Sequence, residues 1–182
     1  MTADRWDDLV SLFGENGAYA NCWCMWWRTT AATFDQGVKD RGAGNRAAMK
    51  ALVAEGREPG LLAYRGREPV GWISVAPRSE FGRVERSPVL KPVDDEPAWA
   101  VVCFYIDKRH RGEGVGRALL DAAVEHVRRK GGRLVEGYPV HPDDRTTSAS
   151  AYTGVVSMFE ASGFKQVARR KPTSRSIWRK RV

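Results

Sequence analysis

The sequence contains no apolar run long enough to cross a membrane, because charged residues, prolines and glycines interrupt every hydrophobic stretch early. Its first residues, MTADRWDDLVSLF, carry three aspartates and lack the basic segment that opens a secretion signal. We therefore expect neither a membrane-spanning helix nor a cleaved leader, and no membrane among the partners of this protein.

Cysteine is scarce, and the three that occur, Cys22, Cys24 and Cys103, form an odd number. Secreted proteins commonly pair their cysteines, so this set indicates reduced thiols in a cytoplasmic protein. A zinc site needs four ligands, and no Cys or His pair elsewhere complements Cys22 and Cys24 at a suitable spacing. We expect no bound metal.

The composition is that of an ordinary globular chain, with 42% hydrophobic and 29% charged residues among 182. This length is usual for one domain, and we predict a single domain over residues 1–182. The formal net charge of +8 fits either a nucleic-acid partner or a polyanionic cofactor. Many of the basic residues concentrate at a glycine-rich turn, which favours one compact anion and makes nucleic acid the less favoured partner.

The stretch from Trp99 to Gly131 is predicted to be a strand, a glycine-rich turn and a helix. Trp99–Ile106 is apolar and rich in β-branched and aromatic residues, which predicts a strand buried on both faces. Three glycines then follow at alternate positions, and a helical apolar face begins among them, with the residues Val115, Leu119, Ala123 and Val127.

A helix that begins among glycines leaves its first N–H groups open, and the positive end of its dipole attracts an anion. Basic residues flank the turn: Lys108, Arg109, Arg111 and Arg117. We predict a phosphate-bearing ligand here, the alternative being a structural turn with solvated arginines. No Walker loop is present, and Arg117 takes the place of the third glycine of the dinucleotide fingerprint, although Glu136 lies where that fingerprint has an acid.

The pattern Arg111-x-x-Gly114-x-Gly116 after an apolar strand resembles the acetyl-coenzyme A loop of the GNAT superfamily of N-acetyltransferases. The longer string FYIDKRHRGEGVGRALL is similar to that family's segment throughout. A second motif, Gly163-Phe164 followed by VARR, resembles the family's late junction between helix and strand. The resemblance extends over residues 61–181.

This resemblance implies an α/β fold with a central mixed, mostly antiparallel sheet, one splayed parallel strand pair and helices on both faces. It implies acetyl-CoA as acyl donor, with its pantetheine arm against backbone groups of Phe104, Tyr105 and Ile106. The turn would hold the pyrophosphate through Arg111, Gly112, Glu113, Gly114, Val115, Gly116 and Arg117.

The implied reaction is direct transfer of an acetyl group to a primary amine of a small molecule or peptide. The amine must lose a proton, the tetrahedral oxyanion needs a fixed donor, and the leaving thiolate gains from a nearby acid. Many family members carry that acid as a tyrosine four residues before the glycine of the Gly-Phe pair. Here that residue is Phe159, which cannot donate a proton.

Tyr152 and Tyr138 are the candidate substitutes for this acid, and packing is the alternative role of each. Glu80, Glu85 and Glu136 are candidate bases. We predict Tyr152, Glu136 and Glu85 as catalytic residues, while Glu136 also fits a strand position that faces solvent or pairs with an arginine.

The segment Tyr19–Arg28 contains four aromatic residues, too many for a loop in water, and its alternation predicts a strand covered on both faces. Its side chains either fill the core or line an acceptor pocket. In the second case we expect Trp23 and Trp27, together with Tyr138, to contact the substrate.

The remaining pattern predicts further elements on either side of the central stretch. We expect helices at 4–13, 45–55 and 149–162, an irregular polar segment at 29–42 and a long connection with one helical turn at 77–97. We expect strands at 61–65 and 70–75, joined as a hairpin, and at 133–140, 164–170 and 176–181.

The sequence favours an acetyl-CoA-dependent N-acetyltransferase, and two other functions stay open. One is a non-catalytic module that binds acyl-CoA as a sensor, which the missing tyrosine fits. The other is a basic nucleic-acid-binding protein whose tryptophans stack on bases. The acceptor is not named by the sequence, and the assembly state is left open, with a homodimer among the options.

Overall fold

A computed structural model describes residues 1–141, 151–172 and 175–182 of the chain. Six strands form a sheet in the order β1-β2-β3-β4-β6-β5. In chain order they are β1 Gly60–Arg65, β2 Glu68–Pro77, β3 Trp99–Ile106, β4 Leu134–Gly137, β5 Lys165–Ala168 and β6 Ile177–Arg181. β3 and β4 are parallel, and the other neighbouring pairs are antiparallel. The predicted hairpin, the central strand and the two final strands are confirmed.

The helices are α1 Trp6–Phe13, α2 Ala31–Gly37, α3 Lys39–Ala54, α4 Gly82–Glu85, α5 Val115–Arg129 and α6 Val156–Ala161. α5 and α6 cover one face of the sheet, where Leu120 and Phe159 pack in a cluster with Val101. α1 and α3 cover the other face, where Leu9 and Met49 are fully buried. The predicted mixed α/β fold with helices on both faces is confirmed. No helix within the described residues is long and apolar enough to span a membrane.

The parallel ladder between β3 and β4 is short, running from the pair Trp99 and Val135 to the pair Val101 and Gly137. β3 continues to Ile106 without β4 beside it. At the same place β3 contains one extra residue, Val102, because Ser74 pairs with Cys103 and Val75 with Val101. This bulge bends the strand and leaves backbone groups unpaired where the two parallel strands separate.

The segment Tyr19–Arg28 forms turns, and the prediction of a strand there is wrong. Ala20, Asn21, Trp23 and Cys24 all have φ between 43° and 60°, which no β-strand contains. Of the four aromatic side chains, Trp23 and Trp27 are buried, whereas Trp26 is 39% and Tyr19 65% exposed. The apolar content therefore indicated burial for two of them, and tertiary packing set the backbone.

The segment 29–42 is less irregular than predicted, because Thr30 caps α2 by accepting a hydrogen bond from the Thr33 N–H at 3.2 Å. α3 begins at Lys39 instead of after Asn45, with a kink over residues 40–42 where φ is positive. Asn45 does not cap this helix. Its amide donates to the Asn21 carbonyl at 3.1 Å and ties the helix to the turn segment.

The predicted helix over 149–162 is interrupted in the part that the structure describes, and residues 149 and 150 lie outside that part. A 3-10 turn at Ala151–Thr153 precedes α6. Gly154 has a φ of +88°, and Val155 forms a parallel bridge with Val140. The backbone around Val155 pairs with Val140, in the chain after β4, instead of continuing one helix through this point. Tyr152 and Phe159 therefore do not lie on one helix. The strand predicted over 133–140 is correspondingly shorter.

Candidate active site

The glycine turn presents an uncapped helix N-terminus. Gly112 and Gly114 have φ of +82° and +79°, a left-handed backbone that glycine adopts without strain. Gly114 is the N-cap residue of α5, and no side chain caps the helix. The Ala118 N–H donates to the Gly114 carbonyl at 3.0 Å, which leaves the N–H groups before it without intrahelical partners. This end of α5 can therefore bind an anion.

Two arginines at the turn are oriented by backbone carbonyls, and Arg117 also lies 3.8 Å from the Asp121 carboxylate on the exposed side of α5. Arg111 donates from Nε to the Ile106 carbonyl at 3.3 Å, and Arg117 donates to the Ala161 carbonyl at 3.0 Å. Arg109 is instead paired with Asp107 and with Glu68, and it lowers the pKa of Asp107 to about 2. The local positive charge next to the glycines thus comes mainly from two of the predicted arginines.

Glu113 and Val115 of the predicted loop have different surroundings. The Glu113 carboxylate lies 3.2 Å from His110 and 3.5 Å from Arg65, so it is engaged within the protein. Val115 is buried against the sheet, where a Cβ on Gly71 would approach within 2.8 Å of it. Gly71 thus lets α5 lie close to β2 and fixes the start of the helix beside the strand edge.

Phe104, Tyr105 and Ile106 lie on the part of β3 that has lost β4 as a neighbour. On the other side they pair with Ile73, Trp72 and Gly71 of β2. Their strand edge toward β4 is therefore available to hydrogen-bond an extended ligand. Gly154, between the 3-10 turn and α6, lies against this part of β3, because a Cβ there would be 3.2 Å from the Phe104 ring.

Phe159 is fully buried beneath this region. Its ring packs edge-on against Phe164 at 5.0 Å and against Phe104 at 6.4 Å between centroids. A Cβ on Gly137 would meet the Phe159 ring at 2.1 Å, so ring and strand are in close contact. The position that carries a tyrosine in many relatives is therefore part of the core here.

A cavity of about 550 Å³ opens on the sheet face that α1 and α3 cover, and we call it the aromatic cavity. Its walls include Trp26, Trp27, Arg83, Arg86, Tyr152 and Arg175. Trp27 and Tyr152, two of the predicted site residues, face each other with ring centroids 6.4 Å apart. The 3-10 turn that carries Tyr152 packs against β3, so the cavity adjoins the open strand edge.

The environment of Tyr152 favours its protonated form. Burial raises the pKa of its phenol above the usual 10, while the Arg175 guanidinium, 5.2 Å from the ring, acts in the opposite direction. The phenol therefore stays protonated near neutral pH. In this state it can donate a proton or a hydrogen bond but cannot act as a base.

Trp23 and Tyr138, the other predicted acceptor residues, lie in the core. Trp23 stacks on Trp6 with centroids 6.0 Å apart and is 3% exposed. Tyr138 is fully buried and donates its hydroxyl to Glu136 at 3.0 Å. Neither side chain lines the aromatic cavity.

Glu136 is the centre of a buried ion-pair cluster. Its carboxylate accepts hydrogen bonds from Arg78 at 3.1 Å and from Arg179 at 2.7 Å, in addition to Tyr138. Glu85 pairs with the same Arg78 at 3.0 Å. Glu80, the third candidate base, is paired with Arg28 and with Arg57. Each of the three candidate bases is therefore engaged in at least one ion pair.

A second cavity, of about 650 Å³, is lined by Arg78, Glu85, Trp99 and Gly132. Gly132 follows the C-terminus of α5, whereas the glycine turn precedes its N-terminus. The second cavity is therefore separated from the glycine turn by the length of α5, about 22 Å at 1.5 Å per residue. Glu85 lines this cavity and not the aromatic cavity.

Trp26, Arg83 and Arg175 also line the aromatic cavity, although no pattern in the sequence indicated them. Arg83 and Arg86 come from the long connection between β2 and β3, whose length was a general sign of function. Their convergence with Trp26 depends on the turns before α2, which no local pattern indicated. Arg175 lies next to the pair 173–174, which the structure does not describe.

Solved structures with the same architecture are N-acetyltransferases. The PaiA N-acetyltransferase of Thermoplasma acidophilum, solved in complex with coenzyme A, aligns over 100% of this chain and 96% of its own, with 13% identity and a TM-score of 0.54. The ribosomal-protein-alanine N-acetyltransferase of Brucella melitensis aligns over 100% of this chain and 97% of its own, with 16% identity and a TM-score of 0.53. At these identities the likeness establishes the fold.

The family follows from the sequence match. The model of the acetyltransferase (GNAT) family matches residues 22–153, more than half of the chain, so this protein belongs to the GNAT acetyltransferase family. The members of this family are acyl-CoA-dependent N-acetyltransferases, which take acetyl-CoA as the acyl donor. The predictions of family, enzyme class and donor are confirmed.

A curated relative is named mycothiol acetyltransferase, from Propionibacterium freudenreichii subsp. shermanii. It is 35% identical over 75 residues, which is 41% of this chain. The chain spans only 21% of that relative's length. The relative therefore supports acetyl transfer in general and not a particular acceptor.

Proposed function

We propose that this protein transfers the acetyl group of acetyl-CoA directly to a primary amine bound in the aromatic cavity. The observation that carries the proposal is the juxtaposition of three features. An uncapped glycine-rich helix N-terminus on one face of the sheet and the aromatic cavity on the other face flank an unpaired stretch of β3.

In this proposal the pyrophosphate binds the N–H groups at the start of α5, and Arg111 and Arg117 supply formal positive charge. The backbone edge at Phe104, Tyr105 and Ile106 binds the amides of the pantetheine arm as an added strand would. The thioester then lies near the bulge at Val102, a residue without a register partner in β2, and we assign a backbone N–H of this bulge to the tetrahedral oxyanion.

Tyr152 is our proposed proton donor to the leaving thiolate. It lies on a turn packed against β3, and its raised pKa keeps the phenol protonated. A thiol with a pKa near 8.5 is already a fair leaving group, so this proton adds to the rate without being indispensable.

Water is our proposed proton acceptor for the ammonium. None of the described residues that line the aromatic cavity is acidic. Glu85 and Glu136 stay candidates from the sequence, but the carboxylates of both are engaged by Arg78, and neither residue lines the aromatic cavity. Deprotonation through water fits these surroundings better.

Initial-velocity measurements of thiol release test direct transfer. With acetyl-CoA and an amine varied together, transfer within a ternary complex gives intersecting reciprocal plots, and an acyl-enzyme gives parallel ones. We expect intersecting plots, unchanged when the core residue Cys103 is replaced by alanine in a folded variant. Parallel plots would contradict direct transfer.

A non-catalytic acyl-CoA sensor is the second candidate, because Phe159 replaces the tyrosine of many relatives and the candidate acids are ion-paired. Tight binding of acetyl-CoA without thiol release for any amine would favour it. We further propose a cytoplasmic location, which fits the three free cysteines, and leave a homodimer as a prediction to be tested by sedimentation.

A further inference from the structure

We propose that the acceptor is an anionic amine, a primary amine that also carries a carboxylate or phosphate group. Arg83 and Arg86 bind the anionic group, and Trp26 and Trp27 cover its flat or apolar part. This inference rests on the proposed function and specifies the class of acceptor that the aromatic cavity takes.

The walls of the cavity are rich in hydrogen-bond donors. Three guanidinium groups line it, those of Arg83, Arg86 and Arg175, and none of its described lining residues is acidic. Such a wall repels an amine that is only a cation. It accepts the same amine when a neighbouring oxyanion pairs with the arginines.

Arg83 is held in place before any ligand arrives. Its guanidinium lies 3.8 Å from the centroid of the Trp26 ring, and Nε donates to the Thr29 carbonyl at 2.9 Å. Trp26 is in turn fixed edge-on against Phe34, with 5.0 Å between centroids. One guanidinium nitrogen of Arg83, Nη2, has no hydrogen-bond partner among the described residues. The group is oriented and retains unused hydrogen-bonding capacity.

Among the described residues, the neighbouring acids do not pair with Arg83 or Arg86. On the same segment, Glu80 pairs with Arg28 and Arg57, and Glu85 pairs with Arg78. Arg86, by contrast, is exposed, and no ion pair joins it to an acid of the described chain. Two positive charges of α4 and the residue after it therefore stay available at the cavity.

Trp27 supplies a further donor on the aromatic wall. It is 7% exposed, and its indole Nε1 is buried without a hydrogen-bond partner in the part of the chain that the structure describes. A buried donor without a partner is costly, and an acceptor atom of a ligand would relieve that cost. The aromatic rings also favour a planar or apolar flank next to the anionic group.

The positive wall also fits the chemistry of transfer. An ammonium beside like charges loses its proton more readily, so the arginines increase the fraction of neutral amine that can attack. The anionic group of the acceptor pairs with the arginines and holds the acceptor in the cavity. None of the described lining residues has a carboxylate that would pair with the amine. Binding and activation thus come from the same side chains.

Matched amines test the proposal through thiol release from acetyl-CoA. The probes are phenylalanine against phenethylamine, and O-phosphoethanolamine against ethanolamine. We expect the anionic member of at least one pair to have a kcat/KM higher by about tenfold or more, the effect of one hydrogen bond to a charged group. The pair that responds distinguishes a carboxylate from a phosphate. Equal rates within both pairs, or faster transfer to phenethylamine and ethanolamine, would overturn the anion site.

Variants separate binding of the anion from the intrinsic reactivity of the amines. Arg86→Gln should lower kcat/KM more for the member that carries the anionic group than for its partner, and so remove most of the preference. Arg129→Gln removes an equally exposed charge at the far end of α5 and should change neither rate. A preference that persists in Arg86→Gln and Arg83→Gln would assign it to other residues and overturn the proposal.

A binding measurement keeps the inference testable if no amine is acetylated. Protein saturated with coenzyme A is titrated with phenylacetate and with phenylacetamide, followed by tryptophan fluorescence. Tighter binding of phenylacetate that is lost in Arg86→Gln would support the anion site even if the transferase proposal failed. The absence of any charge preference would overturn the anion site even if the protein transferred acetyl groups.

Discussion

Replacing Gly114 with valine should weaken binding of acetyl-CoA by more than it weakens the fold. The residue is the N-cap of α5 with a φ of +79°, and open space lies where a Cβ would be. The added side chain thus meets no protein atom. It projects into the space in front of the first helix N–H groups, where the pyrophosphate would lie.

Two magnitudes follow from this geometry. The left-handed backbone costs a residue with a Cβ about 1–2 kcal/mol, which lowers Tm by roughly 2–8 °C in a chain of this size. Losing one hydrogen bond to a charged phosphate costs about 1.5–3 kcal/mol, which is roughly a tenfold to hundredfold rise in Kd. Titration calorimetry with acetyl-CoA measures the second effect, and a thermal melt measures the first.

Gly131 offers a matched control at the other end of the same helix. It also has a φ of +79° and open space where a Cβ would be. Gly131→Val should therefore lower Tm by a similar amount and leave the Kd of acetyl-CoA unchanged. Equal affinities for Gly114→Val and wild type, or an equal loss in both variants, would refute the role of the glycine turn.

Three further predictions concern single side chains. Glu136→Gln should lower the free energy of unfolding by about 3 kcal/mol in urea titrations, because Arg78 and Arg179 lose the buried charge that they share. Tyr152→Phe should lower kcat by about 100-fold with an unchanged Kd for acetyl-CoA, because the proton donor is lost. His126, 5% exposed, has its pKa lowered by burial from the usual 6.5. The unfolded chain therefore takes up the proton first, and stability should fall as the pH drops below 6.5.

Each of these predictions has an outcome that contradicts it. A Glu136→Gln variant with unchanged stability and a large loss of kcat would identify Glu136 as a catalytic base and not a structural charge. If Tyr152→Phe keeps wild-type kcat at every pH, the thiolate leaves without this acid. His126→Phe keeps an aromatic ring beside Trp99 and removes the titration, so an unchanged slope of stability against pH would assign that slope to other groups.

The centre of the fold was predictable because its signals are local. The run Trp99–Ile106, the alternating glycines and the four-residue spacing of the following helix are consecutive in sequence, and each has one main structural meaning. The hairpin around Gly66 and the final strand pair had the same advantage. The interruption at Gly154 was not predictable, because the backbone of Val155 pairs with Val140 of another segment.

The candidate site also has a part that the sequence predicts and a part that it does not. The residues predicted to bind acetyl-CoA lie on one continuous motif, so the sequence indicated them together. The aromatic cavity is assembled from the turns before α2, the segment after β2 and the turn before α6, and only the fold brings Trp27, Arg83 and Tyr152 together. Glu136 looked like a candidate base because its charge was visible in the sequence and its two arginine partners, distant in the chain, were not.

The most direct test of the transferase assignment is to supply acetyl-CoA labelled with ¹³C in the acetyl group and follow the label by mass spectrometry. With a free primary amine from the matched pairs as acceptor, we predict one labelled N-acetyl product for each coenzyme A thiol released, and no label on the protein. Two results would contradict direct acetyl transfer by this chain. One is bound acetyl-CoA that keeps its label with every amine, and the other is a label found on a protein side chain.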